Sequence, residues 1–328
     1  MKLVEVIADA TLAPTISDIA RSQNVRDLHV ALTGAEKVQI VRLLVPDGQL
    51  QAVLDRLQVA IGSQAGARII VLPVEVALPE PPEAERKKED AAPTAREVLY
   101  GAVEREVQLN LNFVVLVVLS TVVAAIGLIE DNVAVIIGAM VIAPLLGPNL
   151  ALALGTALGD TALIRKSLKS GALGIGLAIA LSTIIGIVWP FQLMSRELLA
   201  RTDVGLDSMA LALASGAAAV LSLTTGLSSV LVGVMVAVAL LPPAAAVGLT
   251  MGHGRLDLAA GAALLLAVNV VCVNLASKIV FLVRGVRPRT WWQKERATRA
   301  TVTYMLIWAV TLLILVLIIY LRHSLNGH

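Results

Sequence analysis

From Leu109 to the C-terminus the chain alternates long apolar runs with short charged or polar loops. A helix crossing a hydrocarbon layer of about 30 Å needs roughly 20 apolar residues, and these runs reach that length. Seven spans are predicted, at 109–129, 133–158, 171–190, 208–226, 229–250, 258–283 and 301–321. The fourth, rich in Ala, Ser and Gly, is the least bulky. No charged side chain occurs between Asp207 and His253, a gap of 45 residues. As helix it would extend roughly 67 Å, which is two crossings rather than one.

The first 80 residues follow a different pattern. Leu3–Ala8, Val25–Thr33, Lys37–Val45 and Arg68–Leu78 read as strands. Leu12–Gln23 and Leu50–Ile61 carry apolar residues at helical spacing. The order βαββαβ predicts an α+β ferredoxin-like domain at 1–80. It would serve as a packing or oligomerisation module, or as a sensor of a small-molecule regulator in the manner of ACT or PII domains. Residues 81–108 follow as a charged, proline-rich linker and a juxtamembrane helix. Thr94 and Glu97 stand at capping-box spacing there. Residues 109–328 form the membrane domain.

Composition agrees with this division. Of the 328 residues, 57% are hydrophobic and 15% charged, against about a quarter charged in soluble chains. The net charge of +2 gives no reason to expect nucleic acid as a partner, and membrane lipid is the expected environment. The opening residues lack the apolar core of a secretory signal, so the N-terminal domain is expected to stay cytoplasmic. Seven spans then place Arg165, Lys166, Lys169 and the six cations between Arg284 and Arg299 on the cytoplasmic side. This satisfies the positive-inside rule, with the C-terminus outside a plasma (inner) membrane. One cysteine, Cys272, excludes an intrachain disulfide. No HExxH, Walker loop, GxSxG or clustered His/Cys set occurs, so neither enzyme activity nor a cofactor is expected.

One phrase occurs twice, 95 positions apart: Gly138-Ala-Met-Val-Ile-Ala-Pro-Leu-Leu-Gly-Pro148 and Gly233-Val-Met-Val-Ala-Val-Ala-Leu-Leu-Pro-Pro243. Six of the eleven aligned positions are identical. A unit of three spans repeated once enters the membrane from opposite sides. The expected architecture is therefore an α-helical polytopic protein with a 3+3 inverted repeat and one further helix. Both copies place prolines where a spanning helix would be continuous, and proline breaks or kinks a helix. Paired breaks of this kind point to a solute site.

The run Gly127-Leu-Ile-Glu-Asp-Asn-Val-Ala-Val-Ile-Ile-Gly-Ala-Met-Val-Ile-Ala-Pro-Leu-Leu-Gly-Pro148 resembles a prokaryotic membrane family known as domain of unknown function three-eight-nine. Leu240–Leu249 and Asn269–Ser277 are similar to its second half. The resemblance implies a multi-spanning domain and assigns no residue roles.

The candidate solute pathway comprises Pro144, Gly147, Pro148, Asn149, Pro242 and Pro243 at the breaks, with Asn269, Asn274 and Lys278 in the sixth span. Each has a plainer reading. The prolines serve as packing kinks, the asparagines join helices by hydrogen bonds, and Lys278 snorkels to water. No Asp or Glu lies mid-span, which leans toward a neutral or anionic solute. The expected function is a transporter or channel with a regulatory domain. The alternative is a non-conducting sensor or oligomeric scaffold. Abundant small residues and exposed sheet edges favour a homo-oligomer.

Overall fold

The computed structural model describes residues 1–23, 25, 27–32, 38–62, 64, 66–74, 95–189, 195–225, 239–286, 306 and 308–320. It divides into two compact units, Met1–Leu99 and Tyr100–His328. Thr94, the cations Arg287–Arg299 and the Gly233–Val238 part of the second phrase lie outside the described residues.

In the first unit, β1 (Lys2–Asp9), α1 (Ala13–Ser22), β2 (Asp27–Leu32), β3 (Val38–Val45), α2 (Asp47–Ile61) and β4 (Arg68–Pro73) follow in the expected βαββαβ order. The strands form one antiparallel sheet in the order β2-β3-β1-β4. Alternation assigns the faces. Val4, Val6, Val41, Leu43 and Val45 point to the helices and are buried with Ile16, Leu50, Val53, Leu54 and Leu57. The helix α3 (Arg96–Glu106) begins in this unit, where the Arg96 amide donates to Gln51 Oε1 at 2.8 Å and its guanidinium meets Asp55 at 3.2 Å.

The second unit is helical. α4 (Leu111–Ile129), α7 (Thr161–Val188), α9 (Leu206–Thr225) and α11 (Leu256–Val283) are each long and apolar enough to cross a membrane. α5 (Val133–Ile142) and α6 (Leu146–Leu158) form a pair bent by 53° at a short break, and count as a fifth crossing if taken together. α8 (Arg196–Ala200) is one short turn. α10 (Leu241–Gly252) and α12 (Trp308–Tyr320) are shorter apolar helices.

Local chemistry sets these bounds. Asn110, Asn132 and Asp160 cap α4, α5 and α7 by accepting backbone N–H groups of the first turn. Gly159, at φ 70°, ends α6 in the left-handed region where a Cβ is costly. Because Asp160 starts a helix at once, α7 begins ten residues before the expected third span. Arg165, Lys166 and Lys169 therefore lie on its first turns rather than in a loop.

The helix bounds repeat. α4, α6 and α7 start at 111, 146 and 161, and α9, α10 and α11 start at 206, 241 and 256. The offset is 95 residues each time, and the left-handed Gly159 matches the left-handed Gly254 at φ 74°. The two short helices α6 and α10 are buried almost throughout. α10 packs on α4, α7 and α11, and α6 packs on α7 and α11.

The α7–α10 contact is backbone against backbone. A Cβ on Gly186 would lie 2.7 Å from the Leu249 carbonyl. One on Gly248 would meet the Ile179 carbonyl, and one on Gly252 would lie 2.8 Å from Gly186. The absence of side chains is what lets the helices approach. Gly248→Val should therefore destabilise the unit by about 1–3 kcal/mol through overpacking. Gly176→Ala, whose Cβ meets nothing within 4 Å, should be neutral or slightly stabilising. Thermal unfolding in detergent compares them; equal midpoints for both variants would contradict the close-contact account.

Candidate functional site

The chain is interrupted where it is least able to tolerate it. α5 ends at Ala143, whose backbone is extended, and α6 restarts at Leu146. The first amides of a helix have no partner inside it, and neither α6 nor α10 has a side-chain N-cap. Pro144 and Pro148 flank the first restart, and Pro242 and Pro243 occupy the first turn of the second. A proline carries no N–H, so each one removes a donor that burial would leave unsatisfied.

Three buried asparagines attend to the remaining polar groups. Asn149, in the first turn of α6, donates from Nδ2 to the Leu145 carbonyl at 3.2 Å. Asn274 of α11 donates to Asn149 Oδ1 at 2.7 Å and to the Val270 carbonyl at 2.9 Å. Asn269, also of α11, donates to the Ala239 carbonyl at 2.9 Å, just ahead of α10. α11 thus joins both restarts. Asn269 and Asn274 are 5% and 2% exposed, and the Oδ1 of each accepts no hydrogen bond among the described residues. An unsatisfied buried acceptor is costly. Each break thus has a buried amide oxygen on the α11 asparagine that reaches it and a helix start without a side-chain cap.

Among the nine residues expected from sequence, Asn149 and Asn274 touch, and Asn269 reaches the segment preceding Pro242 and Pro243. Lys278, one turn beyond Asn274, is 1% exposed, so its side chain is enclosed by protein rather than snorkelling outward. Ser277 donates to the Gly216 carbonyl at 3.1 Å and ties α11 to α9. Gly171 and Gly174 face Pro148 and Leu145, so this small-residue surface serves internal packing. Outside this region, Asp131 accepts from the Glu197 amide at 2.8 Å and from Ser195 at 3.1 Å. These bonds, the first of them above all, hold its carboxyl below the ordinary range.

Glu106 was not foreseen. The carboxylate of this last α3 residue abuts the α-carbon of Gly147: a Cβ there would lie 2.7 Å from Oε2. No other residue type fits at position 147 without displacing it. α3 is held in place by Tyr100, which donates to Asp160 Oδ2 at 2.8 Å, and by Glu104, which pairs with Lys166 at 2.7 Å. Burial, then the Asp160 bond and charge, push the Tyr100 hydroxyl up to about 12. Nothing in the sequence links Glu106 to Gly147 across 40 intervening positions; only the chain path does. Part of Glu106 stays open to solvent, yet its carboxyl is crowded, and burial raises it above the ordinary carboxylate range.

A raised carboxyl holds its proton more tightly folded than unfolded. Stability therefore falls as pH rises from the ordinary carboxylate value through the raised one, and levels off above it. Glu106→Gln should flatten this slope in thermal unfolding recorded across pH. An unchanged slope in the variant would assign the pH dependence elsewhere.

A family model described as "Domain of unknown function (DUF389)" matches residues 140–275, a stretch that holds the break before α6, α10 and all three asparagines. The uncharacterized protein MJ0678 of Methanocaldococcus jannaschii is 34% identical over 286 residues, covering 87% of this chain and 88% of its own length. No solved structure matches. The proline-flanked starts of α6 and α10 lie within the matched residues, and the chain belongs to the DUF389 family.

Proposed function

We propose that the chain is a transporter or channel for a small neutral or anionic solute, with the solute site where α11 meets the starts of α6 and α10. The observation that carries this reading is the pair of asparagines, Asn269 and Asn274, each donating an N–H at one helix restart while its oxygen accepts no hydrogen bond among the described residues. Interrupted helices at matched points of two repeats are the way many transporters place a site at membrane depth. Irregular backbone is tolerated there only when protein or a watery cavity surrounds it. Uncapped helix ends favour negative charge or a lone pair, and the orphan amide oxygens favour a solute that also carries an O–H or N–H.

The topology in this proposal has seven spans, N-terminus inside and C-terminus outside the plasma membrane, with α4–α7 and α9–α11 as the inverted halves. The 95-residue offset of the helix starts supports the repeat, and the distribution of Arg and Lys supports the orientation. The Met1–Leu99 unit is the cytoplasmic regulatory domain, and a small molecule is its candidate ligand. A second reading, a non-conducting scaffold, draws on the near-complete burial of α6 and α10.

Reconstitution into liposomes with a panel of labelled neutral and anionic metabolites tests the choice. Transport predicts saturable uptake of at least one compound, reduced about tenfold by Asn274→Ala or Asn269→Ala, the loss of a hydrogen bond worth roughly 1–2 kcal/mol. Pro148→Ala and Pro243→Ala should also alter it. Absence of uptake for every compound favours the scaffold. Uptake that is indifferent to all four substitutions in folded protein places the pathway elsewhere.

A further inference from the structure

Among the described residues, helices cover the antiparallel sheet of the first unit on one face only. Its other face carries, across three rows of register, Asp27–Leu44–Leu3–Leu72, His29–Arg42–Glu5–Ile70 and Ala31–Ile40–Ile7–Arg68. Six of these positions are Leu or Ile, and among them Ile70 and Leu72 are 36% and 45% exposed. The polar residues Asp27, His29 and Arg68 stand at the edges. At the centre, Arg42 of β3 donates to Glu5 of β1 at 2.8 Å. An apolar field with a polar rim is the composition of a protein interface.

We propose that this face is an isologous dimer interface that binds the same face of a second copy of the chain, about a two-fold axis running along the strands between β3 and β1. The central ion pair selects both the occupant and the axis. Two sheets stacked face to face lie about 10 Å apart with their strands nearly aligned. A two-fold along the strands keeps each row in place and exchanges left with right. Leu3 then faces the partner's Leu44, Ile7 faces the partner's Ile40, and Glu5 faces the partner's Arg42. Since β1 and β3 are already register-paired, each β1 or β3 residue of this face meets a copy of its own neighbour in the sheet, and the centre of the face is self-complementary; at the edges β2 lies over the partner's β4. The other in-plane two-fold, across the strands, sets Arg42 over Arg42 and Glu5 over Glu5. Like charges brought together in a dry interface disfavour it. In the favoured arrangement each carboxylate is flanked by two guanidiniums, which offsets the desolvation that an isolated pair would suffer.

The expectation that the domain pairs through its sheet edges is different. Edge pairing extends the sheet through β2 or β4 and leaves the Arg42–Glu5 centre uncovered.

The test uses the full chain in detergent or lipid nanodiscs, with native mass spectrometry to count copies. Glu5→Arg alone and Arg42→Glu alone should each lower the dimer fraction at least tenfold, because each makes the centre of the face all positive or all negative. Mixing the two variants should restore a dimer containing one of each, since opposite charges then face one another. A protein that merely misfolds cannot be rescued in this way. In a Cys272→Ser background, differently tagged Leu3→Cys and Leu44→Cys chains should be joined by a bismaleimide reagent that spans the sheet separation of about 10 Å, a gap too wide for a direct disulfide. Monomeric wild-type protein overturns the proposal. So does a dimer untouched by both charge substitutions, or an oligomer with no Leu3-to-Leu44 cross-link, which would place the contact at the sheet edges or in the membrane unit.

Discussion

An apolar interior cannot hydrate a backbone, so every amide and carbonyl exposed by a broken helix must find a partner within the protein. Much of the second unit, with its helices long and apolar enough to cross a membrane, follows from that single constraint. The break before α6 opens a set of donors and acceptors in the most buried part of the fold. Prolines delete some of the donors, and asparagine amides engage some of the acceptors. Burying α6 and α10 on several helices keeps lipid from the rest. The same constraint explains why α11, beyond Asp257 in its first turn, is apolar except at Asn269, Asn274, Ser277 and Lys278, all of them buried. It also makes the orphan oxygens of Asn269 and Asn274 informative, because neither helix packing nor propensity asks for them.

What could be read from the sequence depended on how local the cause was. The four strands and two helices of the N-terminal unit were visible because a two-residue alternation and a 3.6-residue period are each written within a few positions. The break before α6 was visible because proline acts on its own backbone. Start sites were legible in part: Asn110, Asn132 and Asp160 are side chains that cap the residues just after them. The early start of α7 was missed by giving weight to the charges at 165–169, although Asp160 announced the helix. Contacts spanning many residues were not legible. Nothing near Gly147 names Glu106, and nothing near Ala239 names Asn269. The sequence placed Asn269 and Asn274 in one span but could not say that they reach different breaks. The plainer reading of Lys278, snorkelling to water, failed for the same reason: depth along a span can be counted, whereas enclosure by neighbouring helices cannot.

The N-terminal unit obeys a different balance. Its core is small, and a four-stranded sheet with helices on one side leaves half of its surface unused. Residue choice on that open side is not what solvation alone selects. Leu3, Ile7, Ile40 and Leu44 are apolar where water would accept Thr or Lys equally well, and the one charged pair is placed at the middle instead of the rim. A monomer gains little from that distribution.

The glycine seam between α7 and α10 has a mechanical meaning. Helices separated by interdigitating side chains can slide, since rotamers exchange and the gap refills. Helices that touch through Gly186, Gly248 and Gly252 have nothing between them to rearrange. Any displacement along the seam drives carbonyl into Cα, so the two move as one stiff beam. A helix from each half of the sequence is thereby coupled to the other, and any movement of one past the other would have to break that backbone contact.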